Sequence, residues 1–200
     1  PPFGGAPRLF CGEMRDDIED LARRAASGEA GAAPQAEAFD LLVRATGPTL
    51  LRFLRGMLPP SSDPDEVAQE VYIALLDALP RFRGASAFTT YLYGVALRVS
   101  RRHLRRARLR SIFGLGEGLD EALSIADTAP GPEARAMAGE TIRRVRAAVA
   151  ALPIKYREVV VLREWEGLGY EEIARILGVP MGTVMSRLHR ARKHLAESLG

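Results

Sequence analysis

Apolar side chains recur at three- and four-residue spacing along most of this 200-residue chain, the signature of amphipathic helices. Residues 15–26 predict a short helix, which "SGEAGAAP" then breaks. A longer one runs over about 35–57, with Phe39, Leu42, Val43, Leu50, Phe53, Leu54 and Met57 on its inner face. "LPPSSDPDE" is a stop followed by a start: Ser62 or Asp63 can cap, Pro64 suits a first turn, and the acids favour a helix N-terminus. The helix that follows reaches about Leu79, acidic outside and apolar inside through Val67, Val71 and Leu75. "PRFRGASAF" reads as a loop, and a third long helix covers about 89–110. Alternating strand patterns are absent apart from "VVVL", Val159 to Leu162, which has helical flanks.

Composition shifts after that. Residues 111–136 are rich in Gly, Ala and Pro and read as a flexible linker, able to span at most roughly 90 Å if extended. Helices resume at about 139–151, 154–165, 170–177 and 181–198. The fold class is therefore all-α: a disordered extension over 1–14, a helical domain over 15–110, the linker, and a second small helical domain over 137–200.

The last two helices are split by "GVP". Ile173, Ala174 and Leu177 line one face, and Val184 and Leu188 the next. Gly178 stands where a helix ends in a left-handed residue, Pro180 blocks continuation, and Thr183 is a candidate cap. This is a helix-turn-helix pattern. The second helix of such a unit reads base edges in the major groove from its N-terminal part. Ser186, Arg187 and Arg190 are placed for that, and Arg192, Lys193 and His194 for phosphates. A helical hairpin with a solvated basic face is the competing reading.

Charge sharpens the picture. The formal net charge is only +3, yet just two of the 28 basic residues, Lys155 and Lys193, are lysines. GC-rich codons account for much arginine but not for its clustering. "RVSRRHLRRARLR", Arg98 to Arg110, has no acid. Just before it, "RFRGASAFTTYLYG" interleaves Phe82, Phe88, Tyr91 and Tyr93 with Arg81 and Arg83. Stacking surfaces beside a cationic track suit single-stranded DNA, although Tyr93 and one of the phenylalanines are expected in the core. Gly84, Ala85, Ser86 and Ala87 keep the loop small enough to hold an unstacked base, and Arg98, Arg101 and Arg102 continue the track. The stretch "DPDEVAQEVYIALLDAL" is the opposite in charge. Asp63, Asp65, Glu66, Gln69, Glu70 and Ile73 begin a helix that a basic partner protein could dock on.

Other chemistry is not signalled. Cys11 is the only cysteine, so an internal disulfide is impossible. His103, His189 and His194 lie in basic stretches, poor company for a metal. No run approaches membrane-span length, and the start lacks a signal peptide's apolar region. No metal, no cofactor, no catalysis and a cytoplasmic location are the expectations.

The segments "DEVAQEVYIALLDALPRFRGASAFTTYLYGVA" and "ALPIKYREVVVLREWEGLGYEEIARILGVPMGTVMSRLHRARKHL", in this order, resemble bacterial RNA polymerase sigma factors of the extracytoplasmic-function group, over about Asp17 to Leu199. The resemblance implies that the first domain docks on the clamp of core RNA polymerase through Asp63, Asp65, Glu66, Gln69, Glu70 and Ile73, and that the chain meets both the clamp and the flap regions of the polymerase. It implies that Phe82, Arg83, Gly84, Ala85, Ser86, Ala87, Phe88, Tyr91, Arg98, Arg101 and Arg102 bind and open the minus-ten element. Duplex at the minus-thirty-five element would meet Tyr170, Thr183, Met185, Ser186, Arg187, His189, Arg190 and Lys193. An anti-sigma factor is a further implied partner. This chain departs from the family pattern at Tyr91 (usually Trp), Arg98 (commonly Asn), Arg102 (commonly an acid), Met185 (often basic) and Gly169 (a capping Ser). The alternatives are a stand-alone helix-turn-helix regulator, for which no ligand motif speaks, and a nuclease, for which no carboxylate cluster with metal spacing occurs.

Overall fold

The computed structural model describes residues 12–27, 33–112 and 132–200. Among the described residues eight α-helices follow one another: α1 Gly12–Ser27, α2 Ala33–Met57, α3 Pro64–Ala78, α4 Phe88–Ile112, α5 Pro132–Ala151, α6 Ile154–Val160, α7 Tyr170–Leu177 and α8 Met181–Leu199. A 3₁₀ turn, Leu79–Arg81, follows α3, and a π turn, Val161–Trp165, extends α6. No strand occurs among the described residues, and the "VVVL" run lies in α6 and the π turn.

The expected elements are present, with shifted ends. Of the stretch expected to be disordered, residues 12–14 belong to α1, and residues 1–11 lie outside the described residues. The expected linker keeps only 113–131, also outside them: residues 111–112 finish α4 and 132–136 begin α5. Pro132 suits a first turn, and the Glu and Ala that follow are good helix formers, which is why α5 starts earlier than its apolar periodicity does.

In the N-terminal bundle, α1–α4 enclose Leu42, Leu50, Phe53, Leu54, Val71, Leu75, Leu92 and Tyr93. The Phe53 and Tyr93 rings lie 5.2 Å apart. Asp63 caps α3 by accepting from the Asp65 N–H at 2.8 Å, with Pro64 at the first position and Asp65 and Glu66 facing the positive end of the dipole. The start of α4 is capped from another helix: the Phe88 N–H donates to Glu19 Oε1 of α1 at 2.5 Å.

In the C-terminal bundle, Ile173, Val184, Leu188 and Ala191 are buried between α7 and α8. Gly178 ends α7 with φ +66° in the left-handed region, and the Val179 N–H returns to the Ala174 carbonyl at 3.1 Å. The first position of α8 is Met181, after Pro180. Thr183 therefore lies inside the helix rather than capping it, because Pro180 already supplies the extended residue that opens it. Gly169 opens α7 without a side chain to offer, but its N–H donates to Glu172 Oε2 at 2.9 Å, so half of a capping box is present.

The sequence reading did not anticipate that the two bundles pack on each other. Arg52 of α2 donates twice to Glu166, Nε to Oε1 at 3.2 Å and Nη2 to Oε2 at 2.7 Å. The Tyr93 hydroxyl donates to the same Oε2 at 2.6 Å. Arg101 of α4 holds Glu158 by a second two-pronged pair, at 2.5 and 2.8 Å. Arg157 donates to the Met57 carbonyl of α2 at 2.8 Å and to the Leu152 and Ala150 carbonyls at the end of α5. Both glutamates are sealed off, with side-chain exposures of 0% for Glu166 and 3% for Glu158. A buried carboxylate is tolerated only when paired and hydrogen-bonded, and each here has that from the opposite bundle.

Candidate functional site

Three surfaces carry the residues singled out in the sequence. The first is the outer face of α3. Asp65, Glu66 and Gln69 are exposed there, Glu70 is half-buried, and Ile73 is 64% exposed. Sequence reasoning missed Leu76, 48% exposed and three residues beyond Ile73 on the same face. Two bare aliphatic side chains ringed by carboxylates make an apolar, acidic docking face. Asp63 serves this surface by capping its helix.

The second surface is the loop after α3 and the flank of α4. Arg83, Gly84 and Ala85 are exposed, and Ser86 and Ala87 half-buried. Gly84 has φ +69°, so glycine is required by the backbone. Phe82 and Phe88 are not free for stacking. Both are buried, edge to face with centroids 5.6 Å apart, because each end of so short a loop needs an anchor in the core. Tyr91 leans on Phe82 and donates to the Ala78 carbonyl at 2.7 Å. These rings form the floor and wall of the loop rather than open stacking platforms. Alongside, Arg81, Arg98 and Arg102 line a shallow cleft of about 280 Å³ with Asp77, Ala74 and Val95. Arg102 also reaches Glu70 at 3.0 Å, tying this surface to the first.

Arg101 departs from the expected open track. Its guanidinium is committed to Glu158, which raises its pKa. Arg52 is likewise raised: burial works against its charge, and the Glu166 pair outweighs burial. Burial, reinforced by the Glu166 carboxylate, pushes the Tyr93 phenol well above its ordinary value, so it remains a hydrogen-bond donor at every physiological pH.

The third surface is α8. Val184, Leu188 and Ala191 face inward, which turns Met181, Met185, Ser186, His189, Arg190 and Lys193 outward. Arg187 is half-buried. The Ser186 hydroxyl donates to the Thr183 carbonyl at 3.0 Å, and Arg190 lies against the Tyr156 hydroxyl and lowers its pKa. Lys193 is 4.0 Å from Glu197, and Arg192 is held by Glu164 at 2.6 Å. Tyr170 heads α7 with the Arg163 guanidinium 4.9 Å over its ring. The acids that close the two bundles carry only a weak signal in the sequence. Glu158 directly precedes the apolar run "VVVL", and Glu166 stands between Trp165 and Gly167-Leu168.

No cluster of metal-ligand type occurs among the described residues, and no helix among them is long and apolar enough to cross a membrane.

Residues 42–110 match the family model "Sigma-70 region 2", and residues 142–195 match "Sigma-70, region 4". The RNA polymerase sigma-H factor of Pseudomonas aeruginosa is 34% identical over 166 residues, covering 81% of this chain and 86% of the relative. The chain belongs to the RNA polymerase sigma factors, in the extracytoplasmic-function group. The ECF RNA polymerase sigma-E factor of Escherichia coli is 36% identical over 138 residues, 67% of this chain and 72% of its own length. Among solved structures, CnrH in complex with the cytosolic domain of CnrY shares 26% identity at a TM-score of 0.63, over 92% of this chain and 97% of that one. As a sigma factor this protein acts in transcription initiation, with core RNA polymerase and promoter DNA as its partners.

Proposed function

We propose that this sigma factor docks on core RNA polymerase through α3, opens the minus-ten element with the 82–88 loop and the α4 track, and reads the minus-thirty-five element with α8. In domain terms, residues 15–110 carry the first two tasks and 137–200 the third. The observation that carries the reading is the pair Ile73 and Leu76, bare among carboxylates on one face of α3, while the arginine-lined cleft lies on its other flank against α4. One surface suits a basic, partly apolar protein groove and the other a phosphate backbone. Melting without ATP requires the separated strand to bind better than the duplex, against a stacking cost of about 1.4 kcal/mol per step. A small-residue loop with Arg83 beside it supplies a place for one unstacked base, worth about 1–3 kcal/mol. The protein performs no catalysis of its own, works in the cytoplasm, and is held inactive by an anti-sigma factor; the similar CnrH is seen in complex with the cytosolic domain of CnrY.

The test is run-off transcription with core polymerase and genomic DNA, with Ile73→Glu as the probe. The variant should keep its helicity and lose core binding. Full core binding by Ile73→Glu, together with tight duplex recognition by the free chain, would favour a stand-alone regulator.

A further inference from the structure

Arg101 lies on the α4 track, yet its Nε and Nη2 donors are filled by a carboxylate from the other bundle. We propose that Glu158 occupies the place of a DNA phosphate on Arg101, so that bundle closure and promoter engagement exclude one another. The proposal rests on the reading of α4 as a nucleic-acid track.

Three observations carry it. The first is geometry. A guanidinium takes carboxylate and phosphate with the same two-pronged fork, and Arg101 uses both Nε and Nη2 on Glu158. The second is burial. Other cations of the DNA surfaces also hold acids, Arg102 with Glu70 and Arg192 with Glu164, but those acids are 30% and 26% exposed. Pairs so exposed are weak, and a phosphate displaces them without moving a helix. Glu158 is 3% exposed and belongs to α6, so although the Arg101 side chain is 40% exposed, a phosphate takes its Nε and Nη2 fork only if the bundles part. Arg52 and Tyr93 on Glu166, and Trp165 packed on Gly56, must then part as well. The third is reach. Elements centred near minus ten and minus thirty-five are separated by about 25 steps, on the order of 85 Å of duplex. Each bundle has a radius of gyration of only about 10–13 Å, and here they touch, so the closed chain cannot sit on both elements.

A chain closed nine-tenths of the time binds about tenfold more weakly than its open form. The full-length Glu158→Gln variant is therefore expected to bind a fluorescein-labelled 20-nucleotide mixed-sequence single strand about tenfold more tightly than wild type, and to show a larger radius of gyration by small-angle X-ray scattering. Glu140→Gln changes net charge equally at an exposed site whose carboxylate is paired with Arg143 of its own helix, and should do neither. Arg101→Gln approaches the contact from the other bundle and should also expand the chain. The exchange Arg101→Glu with Glu158→Arg should close it again without restoring DNA binding. An unchanged radius in both Glu158→Gln and Arg101→Gln overturns the proposal. So does expansion of Glu158→Gln with no gain in strand affinity beyond Glu140→Gln. Neither measurement involves polymerase, so failure of the run-off assay would count separately, against the proposed function.

Discussion

Gly56 gives the most direct handle on the contact between the bundles. It is buried in the last turn of α2 under the Trp165 indole. A β-carbon added there would stand 2.5 Å from Trp165 Cε3 and Cζ3 and 3.0 Å from Val161 Cγ1. Carbon atoms rest at about 3.5–4.0 Å, so a rigid indole would have to move by about 1 Å. Such overpacking costs about 1–3 kcal/mol. Alanine in a helix gains about 0.8–1.0 kcal/mol over glycine, which leaves Gly56→Ala destabilising by about 0–2 kcal/mol. With Trp165→Ala in the background most of the clash is gone, and the same substitution should become stabilising by about 0.5–1 kcal/mol. The sign change, a coupling of about 1–3 kcal/mol, is what a double-mutant cycle reads. Urea unfolding of the full chain followed by circular dichroism measures all four corners. Opening of the bundles also relieves the clash, so a larger residue such as Gly56→Leu cannot cost more than closure is worth. Its penalty thereby bounds the closing free energy. Additive effects to within about 0.5 kcal/mol, or a stabilising Gly56→Ala in the unaltered chain, would show that the indole does not sit on Gly56.

Raising the pH above 10 should weaken the fold. Tyr93 and Tyr72 both have raised pKa values in the folded chain. The unfolded chain thus loses protons first, and stability falls by up to about 1.4 kcal/mol per pH unit for each group. Tyr93→Phe should flatten this slope in urea midpoints taken from pH 9 to 11. Ala85→Trp or Ser86→Trp should leave duplex promoter binding by holoenzyme intact but abolish most permanganate reactivity at the minus-ten element. Normal opening in both variants would reduce the loop to a connector. On α8, Arg190→Ala should lose about 1–3 kcal/mol of discrimination between matched and scrambled upstream DNA, whereas Lys193→Ala should weaken both alike. Met181 and Met185 are 47% and 51% exposed one turn apart. Replacing thymines of the upstream element by deoxyuridine, which lacks the methyl group, should lower holoenzyme affinity, and Met185→Ala should erase that sensitivity.

Helix content and the helix-turn-helix were open to reading because they rest on local rules: periodicity, Asp63 and Pro64 at one helix start, Gly178 in a left-handed turn. The outward face of α8 followed from Val184 and Leu188 alone. What was misjudged depends on contacts distant in sequence. Only one of Phe82 and Phe88 was expected in the core, yet both are buried, because a short loop between two packed helices needs an anchor at each end. Arg101 looked like one cation among seven. Its partner lies 57 residues away, and no periodicity links them. Leu76 was passed over because the apolar inside of α3 already had Val67, Val71 and Leu75. The one signal that pointed beyond local structure was an acid beside bulky apolar residues, Glu158 next to "VVVL" and Glu166 next to Trp165.

The π turn over Val161–Trp165, closed by the Glu166 N–H on the Val161 carbonyl at 3.0 Å, amounts to an α-helix carrying one surplus residue. Its consequence is a matter of phase. Glu158 and Glu166 are eight steps apart, and at 100° per residue an uninterrupted α-helix would leave them about 80° out of line. Five of those steps wound more slackly, at roughly 80° each, bring the two carboxylates back to within about 20° of one azimuth. The slack winding thus absorbs the eighth step and aims both acids at one neighbour. Deleting one residue from "VVVL" would leave seven α-helical steps, about 700° again, and return Glu166 to the same azimuth, whereas tightening the turn to a regular α-helix at its present length would swing Glu166 about 80° away from Glu158. In this chain, the winding of one turn, and not the number of residues in it, sets whether both acids meet the neighbouring bundle.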